Sequence, residues 1–278
     1  MKKFVAVAAV LVCAFAAAYF ISGEKEAPLR PVLRVGMECD YAPNNWEEHR
    51  PSQFNAPLSN AEGSYADGYD LQIARLVADG MNATLEVKKI AWDDLIPALV
   101  RGEIDAIFSG MLDTEGRRMQ AAFSDPYEAR HTEYCVVVNT ASPYASADKF
   151  TDFAGAKFTA QKGTNLYAAI AQLPGAVALP AVDTVPEMLG QVTGGKADAI
   201  VINLDTGQSY EATYPNLKLI RFPENEGFVI GFSGICAAVR KDDTELLHSI
   251  NRVLGGITRS ERQRIMDSTV SRLLKTTS

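Results

Sequence analysis

One pattern occurs twice in this sequence and constrains the fold more than any other feature. In residues 93–107, an amphipathic stretch with a proline near its start leads through Gly102 into the tripeptide Asp-Ala-Ile. Residues 184–200 repeat the same order: a proline, an amphipathic stretch, a Gly-Gly pair and again Asp-Ala-Ile. A helix, a glycine turn and a short apolar strand are typical of α/β units with a mostly parallel sheet. Two copies therefore predict two similar α/β lobes.

The N-terminal segment predicts export. Residues 4–21 contain no charged side chain and follow Lys2 and Lys3. This arrangement is typical of a signal peptide or of an uncleaved N-terminal anchor. We therefore predict that residues 1–21 direct export, that residues 22–32 form a linker, and that the remainder is periplasmic or otherwise extracytoplasmic, with membrane anchoring by the apolar segment left open.

Net charge narrows the possible partners. The 278 residues carry a formal net charge of −7, which disfavours nucleic acid and anionic membrane surfaces as partners. No nucleophile elbow, phosphate loop or metal motif occurs in the sequence, so we predict no cofactor, no metal and no catalysis.

The cysteines allow a disulfide hypothesis. Cys39, Cys135 and Cys236 follow the export segment. If residues 133–139 and 231–239 were paired strands crossing between the lobes, Cys135 and Cys236 would lie close together. Export would permit a disulfide between them.

The stretch from 102 to 127 contains the first candidate binding residue. Residues 104–108 form an apolar run that predicts a buried strand, and the run ends at a Ser-Gly pair. Thr114 can cap a following helix, which places Arg117 in its first turn. A cation is disfavoured at the N-terminal end of a helix, where the helix dipole is positive. An anion that docks there would account for the presence of an arginine at this position. A solvated surface arginine remains the alternative on these residues alone.

These motifs resemble those of the family 3 extracellular solute-binding proteins, which serve ABC importers of polar amino acids. The matching features are the strand, the small polar loop, Thr-x-x-Arg and Phe-Ser-Asp-x-Tyr, and the resemblance extends from Leu33 to Leu274. It implies an α/β fold of two lobes, the type II periplasmic-binding-protein or Venus flytrap fold. Each lobe is then a mostly parallel sheet flanked by helices, with two hinge crossings. The implied limits are 33–138 for lobe 1, 139–230 for lobe 2 and 231–278 for the return to lobe 1.

The resemblance also implies roles for individual residues. Arg117 would clamp the carboxylate of an amino acid, and Tyr41 and Trp92 would stack on its side chain. Further contacts would come from Ser109 and from backbone groups near Gly110 in lobe 1, and from the segment containing Gln161, Thr164 and Asn165 in lobe 2.

Two positions of the predicted site depart from the family pattern. Leu112 stands where the family prefers Ser or Thr for a hydrogen bond to the carboxylate. Asn203 stands where an acid usually binds the ligand's α-ammonium group, and Asp205, two residues later, is a candidate replacement. The residues from Glu38 to Ala66 are predicted to form a long loop.

Glu38 suggests the class of ligand. It directly follows the first predicted strand, at the end where such sheets bind ligands, and in lysine/arginine/ornithine-binding relatives the matching acid meets a distal cation. We therefore expect a basic amino acid, although Glu38 could simply order its own loop.

The resulting prediction is a monomeric substrate-binding component of an ABC amino-acid importer, which docks on a membrane permease. Two alternatives remain open. One is an enzyme like cyclohexadienyl dehydratase on the same fold, with Glu38 or Asp205 as its catalytic carboxylate. The other is a ligand-sensing module for a membrane receptor.

Overall fold

The computed structural model describes residues 31–128, 133–223, 226–229 and 234–276. The predicted export segment and residues 22–30 of the predicted linker lie outside the described residues. In chain order the strands are β1 (Val32–Met37), β2 (Asp40–Tyr41), β3 (Asn45–Glu48), β4 (Ala56–Pro57), β5 (Tyr65–Asp67), β6 (Thr84–Lys89), β7 (Ala106–Ile107), β8 (Ala121–Phe123), β9 (Tyr134–Asn139), β10 (Lys157–Thr159), β11 (Val177–Ala178), β12 (Ala199–Asn203), β13 (Leu217–Ile220) and β14 (Ala238–Arg240).

Helices and short 3-10 turns connect these strands. The α-helices are α1 (Tyr69–Gly80), α2 (Leu95–Val100), α3 (Glu115–Arg118), α4 (Asn165–Ala169), α5 (Val185–Thr193), α6 (Leu204–Thr213), α7 (Thr244–Gly256) and α8 (Arg259–Thr276). The 3-10 turns are Trp92–Asp94, Pro143–Ser146, Phe150–Phe153 and Ile170–Gln172.

Lobe 1 is built on a five-stranded sheet with the order β6-β1-β7-β14-β8. Strand β1 pairs in parallel with β6 and β7, and β14 runs antiparallel to β7 and β8. Val35 and Met37 of β1 are completely buried, as are Ala106 and Ile107 of β7. A strand covered on both faces has few polar positions, which explains why these segments appear in the sequence as continuous apolar runs.

Lobe 2 is built on a second five-stranded sheet with the order β11-β10-β12-β9-β13. Strand β10 pairs in parallel with β11 and β12, and β9 runs antiparallel between β12 and β13. The two copies of the sequence repeat therefore occupy equivalent places, because α2 leads into β7 and α5 leads into β12, both interior strands. In both copies a glycine at positive φ lies in the turn, Gly102 at 76° and Gly195 at 70°.

The region predicted as one long loop contains a small sheet of its own. Strands β2, β3, β5 and β4 pair in that order between Asp40 and Asp67. Each has only two to four residues, too few for an alternating pattern to stand out among the Asn, Pro, Ser and Gly residues of this region. The prediction of a loop over 38–66 is therefore wrong.

The predicted limit between the lobes and the predicted disulfide are also wrong. Strand β9 pairs with β12 and β13 of lobe 2, whereas the returning strand β14 pairs with β7 and β8 of lobe 1. Residues 134–138 therefore belong to the second sheet. Cys135 is a free thiol whose Sγ lies 3.5 Å from the Ile202 carbonyl oxygen. Cys236 lies in the other lobe, where its N–H donates to Met111 at 2.9 Å, so no bond joins the two sulfur atoms.

Candidate functional site

A cavity lies between the two lobes. Most of the predicted site residues line it. The lining residues are Glu38, Tyr41, Trp92, Gly110, Leu112, Arg117, Tyr134, Gln161, Thr164, Asn165, Leu166 and Asn203.

Strand ends bring these residues together. Glu38 directly follows β1 and Gly110 comes shortly after β7 in lobe 1, while Gln161 follows β10 and Asn203 ends β12 in lobe 2. Within each lobe the two strands named run parallel, so their carboxyl ends meet at one edge of the sheet. Ligands of open α/β sheets bind in the crevice at that edge. The cavity therefore lies where the two sheets present these edges to each other.

Arg117 reaches from lobe 1 across to lobe 2. Its Nη1 donates to the Leu112 carbonyl oxygen at 2.7 Å, and its Nη2 donates to the Gly163 carbonyl oxygen at 3.1 Å. The guanidinium carbon lies 5.0 Å from the ring centre of Trp92, a cation–π arrangement. Burial lowers the pKa of Arg117 to about 10, so the group remains a cation at neutral pH.

The local structure before Arg117 confirms the cap and changes the dipole argument. The Thr114 hydroxyl accepts a hydrogen bond from the Arg117 N–H at 3.3 Å. Helix α3 spans only Glu115–Arg118, so it supplies a single turn of aligned peptide dipoles and Arg117 belongs to its last turn as well as its first. The two carbonyl groups and Trp92, rather than a helix dipole, fix the position of the guanidinium group.

Glu38 also lines the cavity, and its carboxyl group is buried, with only 3% of the residue's surface exposed. Its N–H donates to the Ser109 hydroxyl at 2.9 Å, and its Oε1 accepts from Gln161 Nε2 across the cleft. Burial raises its pKa to about 7, although the hydrogen bond from Gln161 favours the charged form. A cation that replaced the lost solvation would stabilise this carboxylate.

Tyr41 forms part of the cavity wall on the lobe 1 side. Its ring lies against Gly110, where a Cβ would come within 2.9 Å of Tyr41 Cε1. Gly110 also has φ of +62°, a conformation that favours glycine. The Ser-Gly pair that ends the apolar run therefore has a structural purpose: it lets the backbone approach the tyrosine ring.

The lobe 2 side of the cavity is formed by the segment before α4. The Thr164 hydroxyl donates to the Gln161 carbonyl oxygen at 2.6 Å, and Gly163 between them has φ of +66°. Gln161 Nε2 also donates to the Asp183 carbonyl oxygen at 3.1 Å. The buried Asn165 Nδ2 has no hydrogen-bond partner within the part of the chain that the structure describes. The segment therefore presents an uncommitted donor to the cavity.

Two predicted residues do not line the cavity. Ser109 is fully buried. Its hydroxyl accepts a hydrogen bond from the Glu38 N–H and so acts on the site through Glu38. Asp205 lies in α6, two residues beyond Asn203, which is the last residue of β12. It lines a separate crevice with residues of α8, among them Met266 and Val270. Asp205 therefore does not replace an acid at Asn203.

Two lining residues were missed by sequence reasoning. Leu166 adds apolar surface from α4, and Tyr134 is only 6% exposed, with a hydroxyl group that has no partner among the described residues. Tyr134 begins a valine-rich strand, where an aromatic residue suggests core packing. Only the strand register, which places Tyr134 opposite Asn203, brings it to the site.

The arrangement suits a ligand that carries both an anion and a cation. Arg117 and Glu38 are the charged side chains among the described residues that line the cavity. No group of His, Cys, Asp and Glu side chains that could hold a metal occurs in the described ranges. The cavity can therefore bind an anionic group through Arg117 and a cationic group through Glu38.

Comparison with known proteins identifies the class. The family "Bacterial extracellular solute-binding proteins, family 3" matches residues 33–269. The chain therefore belongs to this family of extracellular solute-binding proteins.

Individual relatives are distant in sequence and close in fold. The chain is 26% identical to the L-arginine-binding protein of Pseudomonas aeruginosa, over 81% of this chain and 82% of that protein. It is also 26% identical to ABC transporter arginine-binding protein 1 of Escherichia coli K12, over 68% of this chain and 75% of that protein. The arginine-bound form of truncated ArgBP from T. maritima is 28% identical, with a TM-score of 0.66, over 82% of this chain and 96% of that one. The prediction of a two-lobed solute-binding fold is confirmed.

Across the ranges that the structure describes, no helix combines the length and the apolar character needed to cross a membrane.

Proposed function

We propose that this protein binds a small basic amino acid, or a close analogue of one, in the cleft between its lobes and delivers it to a membrane ABC permease as an exported, monomeric and non-enzymatic component of an importer. One observation carries the proposal: a buried carboxyl group, Glu38, and a half-buried guanidinium group, Arg117, line the same cavity.

The chemistry of the lining supports a ligand with a carboxylate at one end and a cation at the other. Arg117 is the anion-binding group, and Tyr134 and Asn165 have donor groups that no other described residue uses. Glu38 is the partner for a distal ammonium or guanidinium group. Tyr41 and Trp92 provide the aromatic surfaces along which an aliphatic stem or a guanidinium plane packs well. The arginine-binding relatives support the same class of ligand.

The two side chains also take part in the contact between the lobes. Their contacts with lobe 2, Glu38 with Gln161 and Arg117 with Gly163, tie closure of the cleft to the same groups that recognise the ligand. Hinge closure around a ligand is the usual motion of such two-lobed proteins.

The test combines ligand release with a stability screen. Small molecules released by denaturing the protein, purified without added ligand, are identified by mass spectrometry. Thermal unfolding is then measured with each of the twenty common amino acids, with ornithine and with cystine. We expect stabilisation by arginine, lysine or ornithine. Stabilisation by glutamine or cystine alone would contradict a basic ligand. Conversion of prephenate would instead support the dehydratase alternative.

A further inference from the structure

The cavity lining contains a buried tyrosine hydroxyl without a hydrogen bond in the described structure. Tyr134, the first residue of β9, lines the cavity and is buried. Its Oη has no hydrogen-bond partner within the described residues. Buried polar groups of native proteins are nearly always paired, because an unpaired one has lost its contacts with water without replacement. The hydroxyl therefore needs a partner that the described part of the chain does not provide.

Packing fixes the position of the Tyr134 ring. Its backbone lies opposite Asn203 in the β9–β12 ladder, and β9 is an interior strand of the second sheet. The ring packs edge-on against Phe228, with 6.2 Å between the ring centres. These contacts use the backbone and the apolar ring rather than the hydroxyl. A ligand can therefore bind to the hydroxyl without displacing a hydrogen bond within the described residues.

The groups near this hydroxyl favour an anion as its partner. Burial raises the pKa of Tyr134, and the positive charge of Arg117 opposes that rise. Asn165 lies two residues beyond Gly163, whose carbonyl oxygen accepts from Arg117 Nη2. The buried Asn165 Nδ2, which can only donate, is also unpaired in the described ranges. A guanidinium group, a hydroxyl and an amide N–H can all donate to an anion.

Arg117 alone does not satisfy a carboxylate enclosed in the cleft. Of the five N–H groups of an arginine, two donate to the carbonyl oxygens of Leu112 and Gly163. The side chain of Leu112, which also lines the cavity, has no donor. A carboxylate has two oxygens that accept about four hydrogen bonds. Part of this capacity therefore falls to other donors of the lining.

We propose that the Tyr134 hydroxyl donates a hydrogen bond to the α-carboxylate of the bound amino acid, beside Arg117. This inference rests on the proposed function and adds a binding residue to it. Tyr134 belongs to the sheet of lobe 2 and Arg117 to lobe 1, so the carboxylate is held from both lobes. A hydrogen bond to a carboxylate is about twice as strong as one between neutral groups, so the hydroxyl contributes substantially to affinity.

The first experiment removes one hydroxyl group at a time. L-arginine is titrated by calorimetry into the full extracytoplasmic protein, into Tyr134→Phe and into Tyr167→Phe. Tyr167 is the matched control, because its hydroxyl donates to the Leu179 carbonyl oxygen at 2.9 Å. We expect Tyr134→Phe to bind arginine about tenfold more weakly, a difference of about 1.4 kcal/mol, and Tyr167→Phe to bind it like the wild-type protein.

Two outcomes of this titration would overturn the inference. An unchanged affinity in Tyr134→Phe contradicts the role of Tyr134 and leaves the proposed function intact. If the wild-type protein binds neither arginine nor another basic amino acid, the proposed function fails, and the role of Tyr134 fails with it.

The stability of the ligand-free protein separates a binding role from a structural one. Removing an unpaired buried hydroxyl breaks no hydrogen bond, so Tyr134→Phe should be at least as stable as the wild-type protein in urea unfolding. Tyr167→Phe should be less stable, because the Leu179 carbonyl oxygen loses its partner. A loss of stability in ligand-free Tyr134→Phe would indicate that the hydroxyl serves the fold instead.

A second ligand identifies the group that the hydroxyl contacts. L-argininamide has a neutral amide in place of the carboxylate, and a neutral acceptor forms a weaker hydrogen bond than a charged one. Tyr134→Phe should therefore lose less affinity for argininamide than for arginine, and the preference for arginine over argininamide should fall. Equal losses for the two ligands would contradict the carboxylate as the partner of Tyr134.

Discussion

At the scale of single residues, Arg117 and Arg118 are neighbours with different surroundings. Arg117 contacts Leu112, Gly163 and Trp92 at the cavity. Arg118 is exposed and pairs with Asp113, with 2.5 Å between Nη2 and Oδ2. The helical spacing after Thr114 and the family motif were enough to choose Arg117 from the sequence, because only one of two adjacent arginines can face the cavity.

We predict that Arg117→Met abolishes ligand binding and Arg118→Met does not. Removing one partner of a buried charge pair costs about 2–5 kcal/mol, which corresponds to roughly thirty-fold to several thousand-fold in affinity. The comparison is made by calorimetric titration with a basic ligand, after thermal unfolding confirms that both proteins are folded. Equal losses in the two variants would contradict the assignment of Arg117.

Glu38 makes binding of a cation depend on pH. Burial raises its pKa from a usual value of 4.5 to about 7. As pH falls below 7 the carboxyl group is protonated and attracts a cation less, so affinity should rise with pH. The dissociation constant at pH 5.5 should be about thirtyfold larger than at pH 8. At pH 5.5, about 1.5 units below the pKa, only about one Glu38 in thirty is charged, whereas at pH 8 nearly all are. Glu38→Gln should bind a basic ligand weakly and with little dependence on pH.

The same shift has an opposite consequence for the ligand-free protein. Because the folded pKa of Glu38 lies above the unfolded value, the folded state binds the proton more tightly than the unfolded state. The contribution of Glu38 to stability is therefore present below about pH 4.5 and declines as pH rises to about 7. Asp70 has its pKa raised to about 7 by burial as well and acts in the same direction. A basic ligand should therefore stabilise the protein most at neutral and higher pH.

At the scale of elements, the turn after β7 holds the backbone close to an aromatic ring. We predict that Gly110→Ala lowers the free energy of unfolding by about 1–3 kcal/mol, because a side chain at positive φ is strained and the new Cβ meets Tyr41. Ligand affinity should fall too, since Tyr41 would shift. Gly116→Ala in α3 is the matched control, because a Cβ there contacts nothing within 4 Å. Urea unfolding measures both, and similar effects in the two variants would contradict this account.

Elements that repeat were predictable, and elements that depend on pairing were not. The helix, glycine turn and strand of each lobe appear in the sequence because their periodicity and turn chemistry are local. The pairing of β9 is not local: its valines are buried on both faces and would suit either sheet. The register that places Tyr134 opposite Asn203 is likewise invisible without the partner strand. For this reason the sequence assigned residues 134–138 to the wrong lobe and omitted Tyr134 from the site.

At the scale of the whole molecule, one segment of lobe 2 meets lobe 1 at three points. Gln161 bonds to Glu38, Lys162 pairs with Asp93, and the Gly163 carbonyl accepts from Arg117. Two of these contacts involve side chains that we propose bind the ligand, and the third lies outside the cavity lining. Ligand recognition and contact between the lobes are therefore coupled through residues 161–163, and the outer pair allows closure to be altered without touching the ligand.

The Asp93–Lys162 pair tests this coupling. Lys162→Glu places two like charges across the lobes, which should favour the open form and weaken ligand binding by up to about fivefold at low salt, the scale of an exposed ion pair worth about 1 kcal/mol. Both side chains are about half exposed or more, at 49% and 61%, so the loss should shrink at high ionic strength. Combining Lys162→Glu with Asp93→Lys restores opposite charges and should restore affinity. If the double variant binds as weakly as Lys162→Glu alone, or if salt has no effect, then this pair does not contribute to closure of the cleft.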